Sequence, residues 1–358
     1  MTRRIMIIGG GQSGLAAART ARDAGWDPVV LEAGTRPVGS WPDYYDSLTL
    51  FSPAAYSGFP GYNFPGHPDR YPARDEVAAF LNGYAAWLGV DIQTETRVID
   101  VSPTGPGFAV HTDDGRVLSG DAVVAASGSF GHPVRPRFPG RDKFTGEVLT
   151  VAEYRSPERF ADQRVVVVGA GNSAIQVGYE LAGVARVSLA VRSPVQLVPQ
   201  VRAGRDMHYW FKTLRLDLLP PAALARLFKG TLVFDTGTYR AALDSGRFDQ
   251  RPVFTEFTET GVRWADGTTE PVDTVIFATG YRPSLPYLAE LGALDPTGLP
   301  LHRRGLSLTH PRLAYLGLEF QRSFSSNTLR GVHRDAGYVI NVLSSRVATT
   351  ALTDTTRK

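Results

Sequence analysis

The glycine-rich turn at residues 9–14 constrains the fold of this chain more than any other feature. An apolar run at residues 5–8 leads into it, and its glycines follow the spacing G-x-G-x-x-G. In dinucleotide-binding folds such glycines allow a tight turn, a close approach of backbone to a pyrophosphate, and packing of helix on strand. The N-terminus of the following helix offers N–H groups to phosphates. The turn therefore predicts a strand, a helix at about residues 12–24, and a dinucleotide held by Gly9, Gly11, Gln12, Ser13 and Gly14.

An acidic residue stands where this interpretation needs one. A second apolar run, residues 28–31, follows the predicted helix and ends at Glu32, which lies 21 positions after Gly11. A carboxylate at this distance accepts a hydrogen bond from the ribose 2′-hydroxyl of a bound dinucleotide. The alternative interpretation is a purely structural βαβ unit without a ligand.

The same pattern occurs a second time. Residues 165–168 are all valine and lead into a G-x-G-x-x-A turn, which predicts nucleotide contacts from Gly169, Gly171, Asn172, Ser173 and Ala174. Residues 114–128 and 266–280 then match each other: an Asp-Gly turn, an Asp seven positions later, and a Gly seven positions after that. Asp-Gly pairs suit β-hairpins. The repetition predicts an α/β fold with two dinucleotide-binding domains of the Rossmann-like, glutathione-reductase type, each carrying a β-meander.

The two units differ in charge at the end of the second strand. Arg192 and Ser193 stand where the first unit has Glu32, because Arg192 lies 21 positions after Gly171. An arginine and a hydroxyl would bind a 2′-phosphate that an acid would repel. We therefore assign FAD to the first unit and NADPH to the second. The crossovers Ser127-Gly128 and Thr279-Gly280 should reach FAD and NADPH respectively, and the alternative for Arg192 is an exposed charge at a strand end.

The expected domain division has three parts. Residues 1–155 form the first part of the FAD domain, 156–282 form the NADPH domain, and 283–358 return to the FAD domain with a strand at about 315–321 and a final helix. Apolar residues at helical spacing predict a helical hairpin inserted at about 199–229, which either caps the cavity, forms a dimer contact, or is ordinary core. The aromatic, proline-rich segment 44–72 is interpreted as a wall of the flavin and substrate cavity, or else as a structural loop over the sheet edge.

Composition excludes several classes of function. The chain has no cysteine, so disulfides, a dithiol relay and cysteine metal sites are excluded. Lys and Arg number 38 against 35 Asp and Glu, and no basic block is present, so a nucleic acid partner is not expected. The histidines show no metal-ligand spacing, and no apolar run is long enough to span a bilayer. We expect a cytoplasmic protein without a metal or a membrane anchor.

With both units placed, the chain resembles the flavin-containing monooxygenases, and more narrowly the short bacterial flavoproteins of that group linked to metal and arsenic resistance. The resemblance rests on residues 39–41, 44–53, the second glycine motif, 278–281, and the fingerprint residues Phe144, Gly146 and Tyr154. It implies that FAD and NADPH transfer one oxygen atom of O2, through a flavin C4a-hydroperoxide, to a small soft nucleophile: an amine, a thioether, trivalent arsenic or a ketone. It also implies further FAD contacts, from Ser40, Trp41, Leu50, Val98 and Gln321.

Two positions depart from the family pattern. The fingerprint histidine is Thr150, and the asparagine that many relatives place beside the flavin aligns with Phe51. These departures keep an NADPH oxidase or reductase open as the alternative activity. A disulfide reductase acting only through its flavin, and a protein that retains FAD for sensing or interaction, are the other rivals. Because the flavin performs the chemistry, no catalytic side chain is assigned beyond the candidates Phe51, Gln321 and His67. The predicted partners are a small molecule and O2, with a homodimer possible in principle.

Overall fold

The computed structural model describes residues 3–219 and 232–355, with side chains described to residue 348. The strands are β1 (Arg4–Ile8), β2 (Asp27–Leu31), β3 (Asp91–Gln93), β4 (Val98–Thr104), β5 (Gly107–Thr112), β6 (Val117–Gly120), β7 (Ala122–Ala125), β8 (Glu147–Thr150), β9 (Arg164–Val168), β10 (Arg186–Val191), β11 (Gln196–Pro199), β12 (Val201–Arg202), β13 (Arg205–Asp206), β14 (Leu232–Asp235), β15 (Asp249–Pro252), β16 (Glu256–Phe257), β17 (Gly261–Arg263), β18 (Thr269–Pro271), β19 (Thr274–Phe277), β20 (His302–Arg303), β21 (Leu306–Ser307) and β22 (Leu313–Tyr315).

The α-helices within these ranges are α1 (Gln12–Asp23), α2 (Arg74–Leu88), α3 (Asn172–Leu181), α4 (Met207–Thr213), α5 (Thr238–Asp244) and α6 (Leu329–Thr355). Short 3-10 turns occur at Trp41–Asp43, Ala54–Tyr56, Glu158–Phe160, Leu216–Leu218 and Pro286–Leu288. None of the helices in the described part of the chain is both long and apolar enough to cross a membrane.

The first sheet has the strand order β20-β21-β22-β7-β1-β2-β3. Its centre is parallel, with Ile8 of β1 opposite Leu31 of β2 and Ala125 of β7. β1 is apolar on both faces because both faces are covered, as a central parallel strand requires. Ile5 and Ile7 pack into the core formed with α1, α2 and α6, while Met6 and Ile8 pack against the meander side. This central strand fixes the direction of the first glycine turn.

The second sheet has the order β15-β10-β9-β19-β8 and is parallel throughout. β9, the strand before the second glycine turn, also buries both faces, with Val165 and Val167 on one side and Val166 and Val168 on the other. The prediction of two α/β units with parallel sheets is confirmed. Both predicted meanders are present as antiparallel three-stranded sheets, β4-β5-β6 and β16-β17-β18.

One boundary in the expected division is wrong. β8 lies in residues 1–155, which were assigned to the first unit, yet it pairs with β19 in the second sheet. This pairing could not be predicted from the sequence, because β8 precedes the second glycine turn and its partner lies more than 120 residues later. The rest of the division, 156–282 for the second unit and 283–358 for the return, remains a prediction.

The return strand and the insertion both differ from expectation in extent. β22 pairs with β7 in the first sheet and ends at Tyr315 rather than near Gln321, because the backbone turns out of the sheet at Gly317, whose φ is +86°. The insertion begins with β11 and the hairpin β12-β13, which the Ala203-Gly204 turn closes, so helix starts only at Met207. The second arm of the predicted helical hairpin, residues 220–229, lies outside the described residues.

Candidate active site

The first glycine turn has the geometry of an anion site. Gly11 is the extended N-cap of α1, and no side chain among the described residues caps the helix. The first N–H groups of a helix lack intrahelical partners, so here they are available to a phosphate. A Cβ built on Gly14 would lie 1.7 Å from the carbonyl oxygen of Gly9, so only glycine lets the helix approach the turn this closely. The turn therefore fits the pyrophosphate of a dinucleotide.

Glu32 joins the end of β2 to this turn. Its carboxylate is buried and accepts hydrogen bonds from the N–H of Gly10 at 2.6 Å and from the N–H of Gly34 at 2.7 Å. A carboxylate has about four acceptor positions, so these two bonds leave capacity for a ribose hydroxyl. The ribose contact itself stays a prediction.

Gln321 has a buried amide that is only partly hydrogen-bonded among the described residues. Its side chain is buried, its Oε1 accepts the N–H of Leu318 at 3.3 Å, and its Nε2 has no hydrogen-bond partner within the described ranges. A buried amide donor without a partner costs free energy unless a ligand or water completes it. The first glycine turn and Glu32 therefore fit FAD, whereas a contact from Gln321, which does not line the main cleft, stays a prediction.

Of the remaining predicted FAD residues, some line the main cleft and others do not. Ser127 and Gly128 line the main cleft, and the Ser127 hydroxyl lies 2.9 Å from the hydroxyl of Tyr287. Ser40 precedes the short turn that contains Trp41, and Leu50 is half-buried beside the first core. Val98 is buried in the meander-side core and does not line the cleft. The structure therefore brings the crossover to the cleft and places Val98 behind it.

The second glycine turn repeats this geometry. Gly169 has φ +148°, and a Cβ there would lie 2.4 Å from the carbonyl oxygen of Ala278. Gly171 is again an extended N-cap, with no side-chain cap among the residues described. Asn172 and Ser173 line the cleft at the start of α3, and Ala174 is buried behind them. This turn thus offers a second set of free N–H groups.

Arg192 and Ser193 follow β10, are exposed, and line the same cleft. Within the described part of the chain Arg192 has no ion-pair or hydrogen-bond partner. Thr279 donates its hydroxyl to the carbonyl of Val134 at 2.6 Å, which fixes the crossover where Gly280 also lines the cleft. An unpaired guanidinium at the mouth of a phosphate-binding turn fits the 2′-phosphate of NADPH.

A single cleft of about 1370 Å³ is lined by both units. Residues 127–129 and 316–319 of the first unit and 168–173 and 278–281 of the second line it together. Tyr44 and Tyr281 line the cleft, and the ring of Phe130 lies 4.2 Å from that of Tyr44 and 5.2 Å from that of Tyr281. Burial raises the pKa of Tyr44 to about 12, so its hydroxyl stays protonated. Of these three aromatic residues, only Tyr44 belongs to the segment 44–72 that the sequence predicted as a wall of the cavity.

The three catalytic candidates are not equivalent in position. Phe51 lines the cleft, and Gln321 is buried beside the segment that lines it. His67 is exposed and lines no part of the cleft. Thr150 is buried, and its N–H and hydroxyl both donate to Glu153 at 2.8 Å, so it supports the loop after β8. Glu319, which sequence reasoning did not single out, lines the cleft, and burial raises the pKa of its carboxyl.

A buried polar network supports Phe51. Asp206 accepts hydrogen bonds from Tyr71 at 2.7 Å and from Gln200 at 2.6 Å, and it lies 2.7 Å from Nδ1 of His208. The His208 ring lies 6.0 Å from that of Phe51, and burial lowers the pKa of this histidine. The imidazole of His208 is therefore neutral and donates from Nδ1 to Asp206, and its ring packs against that of Phe51. Nothing in the sequence indicated this network.

Comparison with known proteins gives consistent matches. The family described as "Pyridine nucleotide-disulphide oxidoreductase" matches residues 6–217. An uncharacterized CzcO-like oxidoreductase of Geobacillus kaustophilus is 30% identical over 94% of this chain and 97% of its own length. The indole-3-pyruvate monooxygenase YUCCA1 of Oryza sativa is 32% identical over 81% of this chain and 79% of its own. The structure of a flavin-containing monooxygenase from Stenotrophomonas maltophilia superposes with a TM-score of 0.84 at 32% identity, over 96% of this chain and 99% of that one.

Proposed function

This chain belongs to the pyridine nucleotide-disulphide oxidoreductase family and within it to the flavin-containing monooxygenases, and from that premise we propose that it inserts one oxygen atom into a small soft nucleophile. It is an oxidoreductase that uses FAD and NADPH. The main cleft carries the proposal, because the second glycine turn and the crossover of the first unit line it together, so that two bound dinucleotides would meet there. The candidate acceptors are an amine, a thioether, trivalent arsenic or a ketone. Indole-3-pyruvate, for which the rice relative is named, contains a ketone.

The residues of the chain bind, orient and exclude water. The helix starts at Gln12 and Asn172 face the two pyrophosphates, and Arg192 holds the 2′-phosphate that distinguishes NADPH from NADH. When bound, FAD accepts two electrons from NADPH and supplies them to O2, so that one oxygen atom reaches the substrate and the other leaves as water. The aromatic wall of Tyr44 and its neighbours keeps this part of the cleft apolar, which disfavours the loss of activated oxygen as hydrogen peroxide.

One observation favours a second activity. Phe51 occupies the cleft with a side chain that cannot form a hydrogen bond, and Thr150 is already engaged with Glu153. A site without these polar contacts holds the nicotinamide and the activated oxygen less firmly. The second candidate is therefore an NADPH oxidase or reductase that passes electrons from FAD without oxygenating a substrate.

The two activities differ in where the electrons end. The holoenzyme should be supplied with NADPH, O2 and methyl phenyl sulfide while NADPH, sulfoxide and hydrogen peroxide are counted. We expect about one sulfoxide per NADPH consumed. Formation of hydrogen peroxide in an amount equal to the NADPH consumed, with no sulfoxide, would establish the oxidase. If no NADPH is consumed, both activities are contradicted. Phe51→Asn should yield more sulfoxide per NADPH consumed than Phe51→Leu. Asparagine and leucine are similar in size, and only asparagine has a group that can form hydrogen bonds.

A further inference from the structure

A second cavity, of about 640 Å³, lies beside the main cleft. Its walls come from the aromatic segment 54–68, from the end of α4 and the 3-10 turn after it, and from the first two turns of α6. The aromatic segment contributes mainly apolar surface, from Ala54, Tyr56, Phe59, Pro60, Phe64 and Pro68. The helices contribute charge, from Lys212, Asp217, Arg330, His333 and Arg334. Neither glycine turn lines this cavity.

The charged wall carries more positive than negative charge. Arg330 donates to the carboxylate of Asp217 from Nη2 at 2.7 Å and from Nε at 3.2 Å, and Arg334 approaches the same carboxylate at 3.8 Å. Lys212 adds a third cation, whereas Asp217 is the single acid among the lining residues. Residues 220–231, which follow this acid in the chain, contain no Asp or Glu. Two positive charges in the wall therefore remain without a balancing carboxylate among the described lining residues.

One guanidinium nitrogen of the wall has no hydrogen-bond partner among the described residues. The Arg330 side chain is only 7% exposed, and its Nη1 forms no hydrogen bond to any residue in the described ranges. Its charged group lies 5.7 Å from the ring of Phe211 and 5.8 Å from that of Phe324, which hold its plane in place. His333 likewise has a buried Nδ1 without a described partner. Buried donors of this kind cost free energy until an acceptor reaches them.

The cavity adjoins the cleft in which the cofactors meet. Phe51 lines the cleft and Ala54 lines the cavity, while Asn327 lines the cleft and Arg330 lines the cavity. Three residues of extended chain span at most about 11 Å. A ligand anchored at Arg330 can therefore extend toward the cleft.

We propose that this cavity binds an organic acid, with its carboxylate on Arg330 Nη1 and its apolar or aromatic body against Tyr56 and Phe59. The charge excess selects the anion, the guanidinium nitrogen without a described partner supplies a charge-assisted bond, and the apolar wall accepts the body. The identification of this acid as a substrate rests on the function proposed above. It narrows the soft nucleophile to one that also carries a carboxylate.

A matched pair of thioethers tests the assignment. The probes are 3-(phenylthio)propionate and 3-(phenylthio)propanamide, which differ only in the charged group, and they are titrated into the holoenzyme by calorimetry. We expect the acid to bind at least tenfold more tightly than the amide. The double variant Asp217→Asn, Arg330→Gln removes both charges of the pair together, so that no lone buried charge is left, and should abolish that difference. Equal binding of acid and amide to the parent protein would overturn the proposal.

Two further variants locate the site. Ala55→Phe fills the cavity from its exposed rim without touching the ion pair, and it should weaken both probes. Arg346→Gln removes a charge from the same helix about 24 Å away and should change neither. Undiminished binding to Ala55→Phe would also overturn the assignment, since the acid would then bind elsewhere.

The rate of anaerobic flavin reduction by NADPH separates this inference from the proposed function. We expect the double variant to keep that rate while its KM for the acid rises tenfold or more. If NADPH fails to reduce the flavin of the parent enzyme, the proposed function is contradicted. Calorimetry still decides whether the cavity binds an anion.

Discussion

The two glycine turns share one backbone design and differ in two side chains. Each places an extended glycine before a helix and leaves the first N–H groups free. The third motif position is Gly14 in the first unit and Ala174 in the second, so only the first helix packs against its turn too closely for a side chain. Glu32 is buried and bonded to its own turn, whereas Arg192 is exposed in the cleft. In the proposed function, the shared backbone would bind pyrophosphate, and one charge at a strand end would select the dinucleotide.

Exchanging glycine and alanine at the third motif position should have the largest effect. In Gly14→Ala the added carbon would collide with the carbonyl of Gly9, so we expect protein without bound flavin or no soluble protein. The reverse change in the second unit, Ala174→Gly, should keep its flavin and lose about 1 kcal/mol of stability. Flavin-to-protein ratios and thermal unfolding measure both. Stoichiometric flavin in Gly14→Ala would contradict the close packing.

Glu32→Gln should have the second-largest effect. The amide can accept only one of the two backbone N–H bonds that the carboxylate accepts, and it lacks the charge. Loss of charge-assisted bonds worth about 1.5–3 kcal/mol corresponds to roughly 10- to 100-fold weaker FAD binding. Equilibrium dialysis of FAD against the apoprotein measures it, with Glu259→Gln as the control. Unchanged FAD affinity would place Glu32 outside the site.

Arg192→Ala should affect the other nucleotide alone. Without the guanidinium we expect KM for NADPH to rise about tenfold or more, while KM for NADH and the flavin content stay unchanged. Arg186→Ala, at the other end of β10, serves as the matched control. If the parent enzyme uses NADPH and NADH equally well, the assignment of NADPH by charge is wrong.

Ser193→Ala should give the smallest change. The hydroxyl is exposed beside Arg192 and contributes at most one hydrogen bond to the phosphate, worth about 1 kcal/mol or roughly fivefold in KM for NADPH. Initial rates with both nucleotides test this. A loss larger than that of Arg192→Ala would mean that the hydroxyl, and not the charge, selects the cofactor.

The parts of the fold that are local in sequence could be predicted from the sequence. The runs at β1 and β9, the glycine turns and the Asp-Gly hairpins each carry their signal within about fifteen residues. β8 does not, because its sheet is decided by β19, which lies more than 120 residues away. The site divides in the same way. The turn residues were predictable, whereas the wall of Tyr44, Phe130 and Tyr281 joins three distant segments, and the pair Asp217–Arg330 joins two others.

A crystal structure of the protein grown with FAD and NADP⁺ would test the division of labour between the two turns most directly. We predict the FAD pyrophosphate at the start of α1, with its ribose on Glu32, and the NADP⁺ pyrophosphate at the start of α3, with its 2′-phosphate on Arg192. NADP⁺ at the first turn, or a 2′-phosphate directed away from Arg192, would contradict the account.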